Sequence, residues 1–189
     1  MIWTIVVLAV LILVLFGFWV SWRASRLDRL HNRVEAARTA LDLALVRRSS
    51  ASSELASSGT LDPATSVLLA DAVRRARQAG LAEADLAESD LAERDLAESD
   101  LTRALRATLG EPGFRKELAE NEGATELVDE VEAAAHQVYL ARKFYNDLAG
   151  RTIDDRRRPL SRVLHLAGTA TPPEFFDMAD ALVDGAGRG

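Results

Sequence analysis

The sequence predicts an all-α protein, with an N-terminal transmembrane helix followed by an antiparallel four-helix bundle. Three observations carry that prediction. The chain opens on a long run without charge. Apolar residues then recur at steps of three and four in segments set apart by Gly and Pro. No segment alternates apolar and polar residues with the period of two that a half-buried strand needs.

Ile2 to Trp22 (IWTIVVLAVLILVLFGFWVSW) contains no charged residue. As a helix this run is roughly 31 Å long at about 1.5 Å per residue, which matches a hydrocarbon core of roughly 30 Å. A cleaved signal peptide has a basic start, a shorter apolar stretch and a small-residue cleavage site. None of these is evident here, so residues 1–22 are expected to be a retained anchor. Trp3, Trp19 and Trp22 lie near its ends, where amphipathic aromatics favour the interface. Arg23, Arg26, Arg29, Arg33 and Arg38 follow it. Basic flanks stay on the cytoplasmic side, so the N-terminus is expected outside and the helical domain in the cytoplasm.

Residues 23–170 are expected to form the bundle, and 171–189 a C-terminal tail. No Gly or Pro occurs between Phe18 and Ser58, so the anchor is predicted to continue directly into the first bundle helix. There Leu27, Leu30, Val34, Ala37, Leu41 and Ala44 form one apolar stripe. The Ser-rich stretch Ser49 to Ser58, followed by Gly59, is predicted to end it. Asp62-Pro63 reads as an N-cap followed by Pro at the first helical position. The second helix is predicted to bury Val67, Leu68, Ala72 and Val73 and to stop at Gly80. A third runs from Leu81 to Leu109, broken by Glu111-Pro112-Gly113. A short turn from Phe114 to Ala119 precedes a break at Gly123. The fourth is the most regular: Leu127, Val131, Ala134, Val138, Ala141, Tyr145 and Leu148 keep a coiled-coil spacing. Its end is predicted between Gly150 and Pro159. Leu160 to Leu166 is a short apolar piece, and Phe175-Phe176, after Pro172-Pro173, are expected to pin the tail to the bundle.

Leu81 to Thr102 reads LAEAD-LAESD-LAERD-LAESD-LT. Pentapeptide β-helices also repeat every five residues, but about five units make little more than one coil, and solenoids need several stacked coils. Ala, Leu, Glu and Arg are good helix formers. On a helix a step of five advances about 140°, so the leucines are expected to spiral round the axis. Glu83, Asp85, Glu88, Asp90, Glu93, Asp95, Glu98 and Asp100, less Arg94, give the strip a charge of −7 against −6 for the whole chain. It is expected to be a solvated helix, and is the candidate docking arm for a basic protein segment.

No catalytic constellation emerges. The chain has no Cys, so disulfides, thiolate metal sites and a Cys nucleophile are excluded. His31, His136 and His165 lie far apart, without a second ligand at metal spacing. Gly-rich phosphate loops and nucleophile elbows are absent. The acidic balance argues against a nucleic-acid partner. No enzyme, metal or cofactor is expected. Two polar clusters remain. Arg142, Phe144, Tyr145, Asn146 and Asp147 form a candidate structural or interaction node. Arg151, Arg156, Arg157 and Arg158 form a basic cluster suited to anionic headgroups or to the acidic strip.

The uncharged start, Arg29-Leu30-His31-Asn32-Arg33-Val34-Glu35-Ala36-Ala37, Ala40-Leu41-Asp42 and Leu45-Val46-Arg47-Arg48 resemble the membrane-proximal pattern of the LemA family. Ala141-Arg142-Lys143-Phe144-Tyr145-Asn146-Asp147 resembles its A-R-x-F-Y-N block, with Phe175-Phe176 matching a late aromatic pair. Leu101-Thr102-Arg103-Ala104-Leu105 resembles the end of its third helix. Ser49-Ser50-Ala51-Ser52, His136 and Arg151-Thr152-Ile153-Asp154 depart from the pattern, which marks a divergent branch. The resemblance implies a membrane-anchored four-helix bundle and no particular reaction. The expected function is therefore a single-pass, non-enzymatic scaffold of a bacterial inner membrane, holding the bilayer through Ile2 to Trp22 and engaging a protein partner. Self-assembly into a homo-oligomer, through the heptad stripe and the long first helix, is the alternative. An enzyme with a site between helices is a more remote one.

Overall fold

The computed structural model describes residues 2–85, 91–110, 122–157 and 173–178. Within these residues the chain is all-helical, with four helices and no strand: α1 (Ile2–Ser57), α2 (Pro63–Asp85), α3 (Leu91–Leu109) and α4 (Glu122–Arg157). The predicted turn Phe114–Ala119 and the apolar piece Leu160–Leu166 lie outside the described residues. Residues 173–178 have no regular secondary structure.

α1 is unbroken, as its freedom from Gly and Pro beyond Phe18 predicts, and it ends at Ser57, within the predicted stop from Ser49 to Gly59. The Ser-rich stretch continues the helix because its polar atoms are satisfied from within. Ser52 donates its hydroxyl to the Arg48 carbonyl one turn back at 2.7 Å, so burying Ser52 costs little. The stop is completed at Gly59, whose φ of +77° is readily available only to glycine, while Ser58 N–H closes onto the Leu55 carbonyl.

Asp62 caps α2 as predicted: its Oδ1 accepts from the backbone N–H of Ala64 at 3.0 Å and of Thr65 at 3.1 Å. The buried face agrees with the prediction at Ala72 and Val73 and differs from it at Val67 and Leu68. Val67 and Leu68 are both 68% exposed, and Leu69, Ala72, Val73 and Ala76 are buried. A single residue's rotation of the stripe accounts for this, since both sets fit a helical period. Gly80 does not end α2, which runs on to Asp85. Glycine in a helix interior costs only about 1 kcal/mol, and good helix formers flank it. The third helix accordingly begins at Leu91, not Leu81. At its far end, Gly110 N–H reaches the Arg106 carbonyl, and a Cβ at Gly110 would lie 2.7 Å from that oxygen. Gly123 sits in the first turn of α4, and that helix passes through Gly150 to Arg157.

Two compact units emerge. One comprises Met1–Ala37 with Asn146–Phe175, the other Arg38–Tyr145 with Phe176–Gly189. In the first, Val34, Ala37, Leu148, Ala149 and Thr152 are buried, and the Phe175 ring lies against Gly150, 3.7 Å from where a Cβ would stand. Within the same unit, Ile2 to Trp19 is a helical segment long and apolar enough to cross a membrane, and none of it is buried.

The second unit holds the main core. Leu55, Leu61, Leu69, Ala72, Val73, Ala76, Leu101, Leu105, Leu109, Val128, Val131 and Ala134 pack into one cluster. At roughly 25 cal/mol per Å² of apolar surface removed from water, such packing supplies most of the stability of helices like these. α4's predicted stripe is buried at Val131, Ala134, Val138 and Tyr145 and half-buried at Leu127 and Ala141. Arg47 on α1 reaches Glu130 on α4 at 2.9 Å.

Candidate functional site

The least expected feature of the core is a pair of charges. On α1 the three-four spacing that buries Val34, Ala37, Leu41 and Ala44 next reaches Arg48, then Ala51 and Leu55, and Arg48 is only 2% exposed. On α3 the corresponding row reads Arg94, Glu98, Leu101, Leu105, and Glu98 is equally buried. Arg48 Nη2 meets Glu98 Oε2 at 2.5 Å, and Nη1 donates to Thr102 Oγ1 at 2.9 Å. Thr102 in turn donates to the Glu98 carbonyl. Burial pushes the Arg48 guanidinium below its ordinary value, and the adjacent Glu98 carboxylate pulls it back up. Nε of Arg48 has no hydrogen-bond partner among the described residues.

One turn earlier on α3, Arg94 is also buried. It donates to Asp42 of α1 at 2.8 Å, and its guanidinium lies 5.7 Å from the centre of the Phe176 ring. Arg94 breaks the LAESD pattern, standing where the units on either side have Ser89 and Ser99. This departure from the repeat thus helps to dock α3 onto α1 and the C-terminal segment.

Beside these two pairs, α1, α2 and α3 enclose a cleft of about 530 Å³. Leu45, Val46, Ala76 and Leu81 supply its apolar wall, with Arg38 and Arg77 among its cationic lining. Asp42 and Glu98, each already facing an arginine, also border it.

The acidic strip is divided by the fold. Glu93 is exposed on α3. Asp95 accepts the backbone N–H of Asp177 at 2.9 Å. Asp100 pairs with Arg103 and stands 3.9 Å from Arg75 of α2. Glu98 is withdrawn into the core, so its charge offers nothing to a partner. Glu83 and Asp85 lie on the last turn of α2, and Glu88 and Asp90 lie outside the described residues. The leucines spiral as the five-residue step requires: Leu81 and Leu96 are exposed, while Leu101 is buried.

The α4 cluster does not converge on one point. Arg142 is half-buried and donates to the Phe176 carbonyl at 3.4 Å, Tyr145 is buried, and Phe144 is 60% exposed. Asn146 is half-buried, and Asp147 pairs with Arg151 at 2.8 Å. Arg156 and Arg157 lie on the last turn of α4, and Arg158 lies outside the described residues. Phe176 is buried and carries the pinning expected of the aromatic pair, whereas Phe175 is half-exposed.

His136 is exposed and stacks with Tyr139. Among the described residues no three His, Asp or Glu gather where a metal ion would sit. The arrangement offers a locked charge pair beside a cleft with an apolar wall and a cationic rim. No family model, curated protein or solved structure matches this chain.

Proposed function

We propose that the chain is a membrane-tethered, non-catalytic scaffold of a bacterial inner membrane, similar to the LemA family, that presents its helical domain to a protein partner. One observation carries this reading. The helix from Ile2 to Trp19 exposes apolar side chains all round and buries none of them. So large an apolar surface is rare on a soluble monomer and stable in lipid. The basic residues that follow favour a cytoplasmic domain. A tether of this kind raises the effective concentration of a docking surface at the membrane without any chemistry.

The bundle proposed is an antiparallel one of four helices. Arg75 lies near Asp100 and Gly80 near Arg94, so contacts between α2 and α3 run in opposite directions. Asp42 meets Arg94 and Arg48 meets Glu98, so α1 and α3 advance together. Both relations support an up-down-up-down order.

The partner surface proposed is the acidic strip apart from Glu98, which is buried against Arg48. Deleting Leu81 to Thr102 would strand Arg48 in the core, so neutralisation is the cleaner test. Glu83→Gln, Glu88→Gln, Asp90→Asn and Glu93→Gln, combined, should reduce the partner that crosslinks in intact cells, while the helix signal stays unchanged. Equal crosslinking by the variant and the parent would remove the docking role. Self-assembly is a second reading, favoured by Leu140 and Phe144, which stand exposed one turn apart on α4. Mass measurement of the Arg23–Gly189 fragment tests it, because a strict monomer at high concentration contradicts it.

A further inference from the structure

We propose that the cleft between α1, α2 and α3 binds a single-chain amphiphile with an anionic head, placing the head at Arg77 and the tail along the apolar wall. This inference does not depend on where the chain sits in the cell.

Size is the first ground. At about 530 Å³ the cleft falls within the roughly 300–1,000 Å³ range of small-molecule sites. Shape is the second. Leu45 and Ala76 are buried at the cleft, whereas Val46 and Leu81 border it while 62% and 71% exposed. An alkyl chain lying there removes both of these from water.

Charge is the third ground, and it sets the sign of the head. Glu98 is held by Arg48 and Asp42 by Arg94, so both carboxylates on the lining face an arginine. Arg77 faces only a neutral group among the described residues, the Ser50 hydroxyl at 3.3 Å. A guanidinium with donors to spare takes carboxylate or phosphate through paired hydrogen bonds. Ser49 adds a fourth ground. It is 2% exposed yet borders the cleft, adding a hydroxyl-bearing residue to the lining. Ser52, three residues on, returns its hydroxyl to the backbone. A cationic ligand would meet Arg38 and Arg77 with no uncommitted carboxylate, and a neutral one would leave Arg77 unused.

The test is photolabelling of the full chain in phosphatidylcholine nanodiscs with a tail-diazirine analogue of laurate, mapped by peptide mass spectrometry. The alcohol and amine of the same chain serve as probes of the head. The acid should label residues between Asp42 and Ser50 and between Ala76 and Leu81, several-fold more than the alcohol or the amine. Excess laurate or lysophosphatidylglycerol should compete, and the stronger competitor identifies a carboxylate or a phospholipid head as the source. Arg38→Gln with Arg77→Gln should cut labelling several-fold, and Val46→Trp should block the mouth. All three positions are exposed, so the helix signal should survive in each variant. Arg103→Gln, in a separate cleft of about 370 Å³, should change nothing. Equal labelling by acid, alcohol and amine would overturn the proposal, as would labelling confined to Ile2–Trp19 or labelling indifferent to both cleft variants.

Discussion

Arg48 occupies a position that helix spacing reserves for an apolar side chain, and Glu98 does the same on the facing helix. Taking both charges out of water costs several kcal/mol per ion, offset only by close geometry and further hydrogen bonds. The 2.5 Å contact and the bond to Thr102 supply these. Removing one partner should therefore cost far more than replacing both. In urea unfolding, Arg48→Met alone or Glu98→Leu alone should each lose about 3–5 kcal/mol, and the double variant should recover most of it. Additive losses would show that the pair is not coupled. Asp62 is a different kind of charge, fully exposed at the start of α2. Hydrogen bonds from Thr65, its side chain first and then its backbone N–H, hold the Asp62 carboxyl below the ordinary aspartate value. A depressed value means the stabilisation is complete above the ordinary aspartate range and is lost as pH falls through the lowered one. Asp62→Ala should thus unfold at a lower temperature than the parent near neutral pH, and the gap should narrow in acid. A gap that widens in acid would contradict the cap.

The elements were legible where one spacing rule was satisfied without conflict. α1's continuity follows from the absence of Gly and Pro, and α4's stripe from three unbroken heptads. The Asp62 cap and the leucine spiral were equally readable. Illegible positions were those where residue type and spacing disagreed. The α1 stripe continues as Arg48, Ala51 and Leu55, but an arginine in the row looks like its end. Glu98 hid inside a repeat whose other acids look alike, and the five-residue register masked the three-four row Arg94, Glu98, Leu101, Leu105. On α2, Val67-Leu68-Leu69 offers three adjacent apolar residues, and only packing chooses Leu69. Of the two glycines read as helix stops, Gly59 is one and Gly80 is not. Gly80 is an ordinary helical residue, and a Cβ there would stand 3.8 Å from Arg94 Nε, a normal contact. Gly80→Ala should accordingly raise stability by about 0.5–1 kcal/mol. Gly59→Ala, at φ +77°, should lower it. Thermal melts of the two variants check the pair, and shifts of the same sign would contradict this account of the α2 and α1 ends.

On the scale of the whole molecule, one property organises the rest. A helical segment whose apolar side chains are all exposed is costly in water, at roughly 25 cal/mol per Å², and stable in a bilayer. Past its first turn it also satisfies its backbone polar groups within the helix, as a lipid environment demands. The same helix, α1, goes on to supply Leu41, Leu45, Arg48 and Leu55 to the core. Retention of the N-terminal segment in lipid is therefore the claim on which the scaffold reading stands. Alkaline carbonate extraction of membranes from cells expressing the full chain, with intact-mass analysis of what remains, tests it directly. The account predicts a protein that stays with the lipid pellet and still carries Ile2 to Trp22. A chain released by carbonate, or one found with that segment cut away, would contradict it.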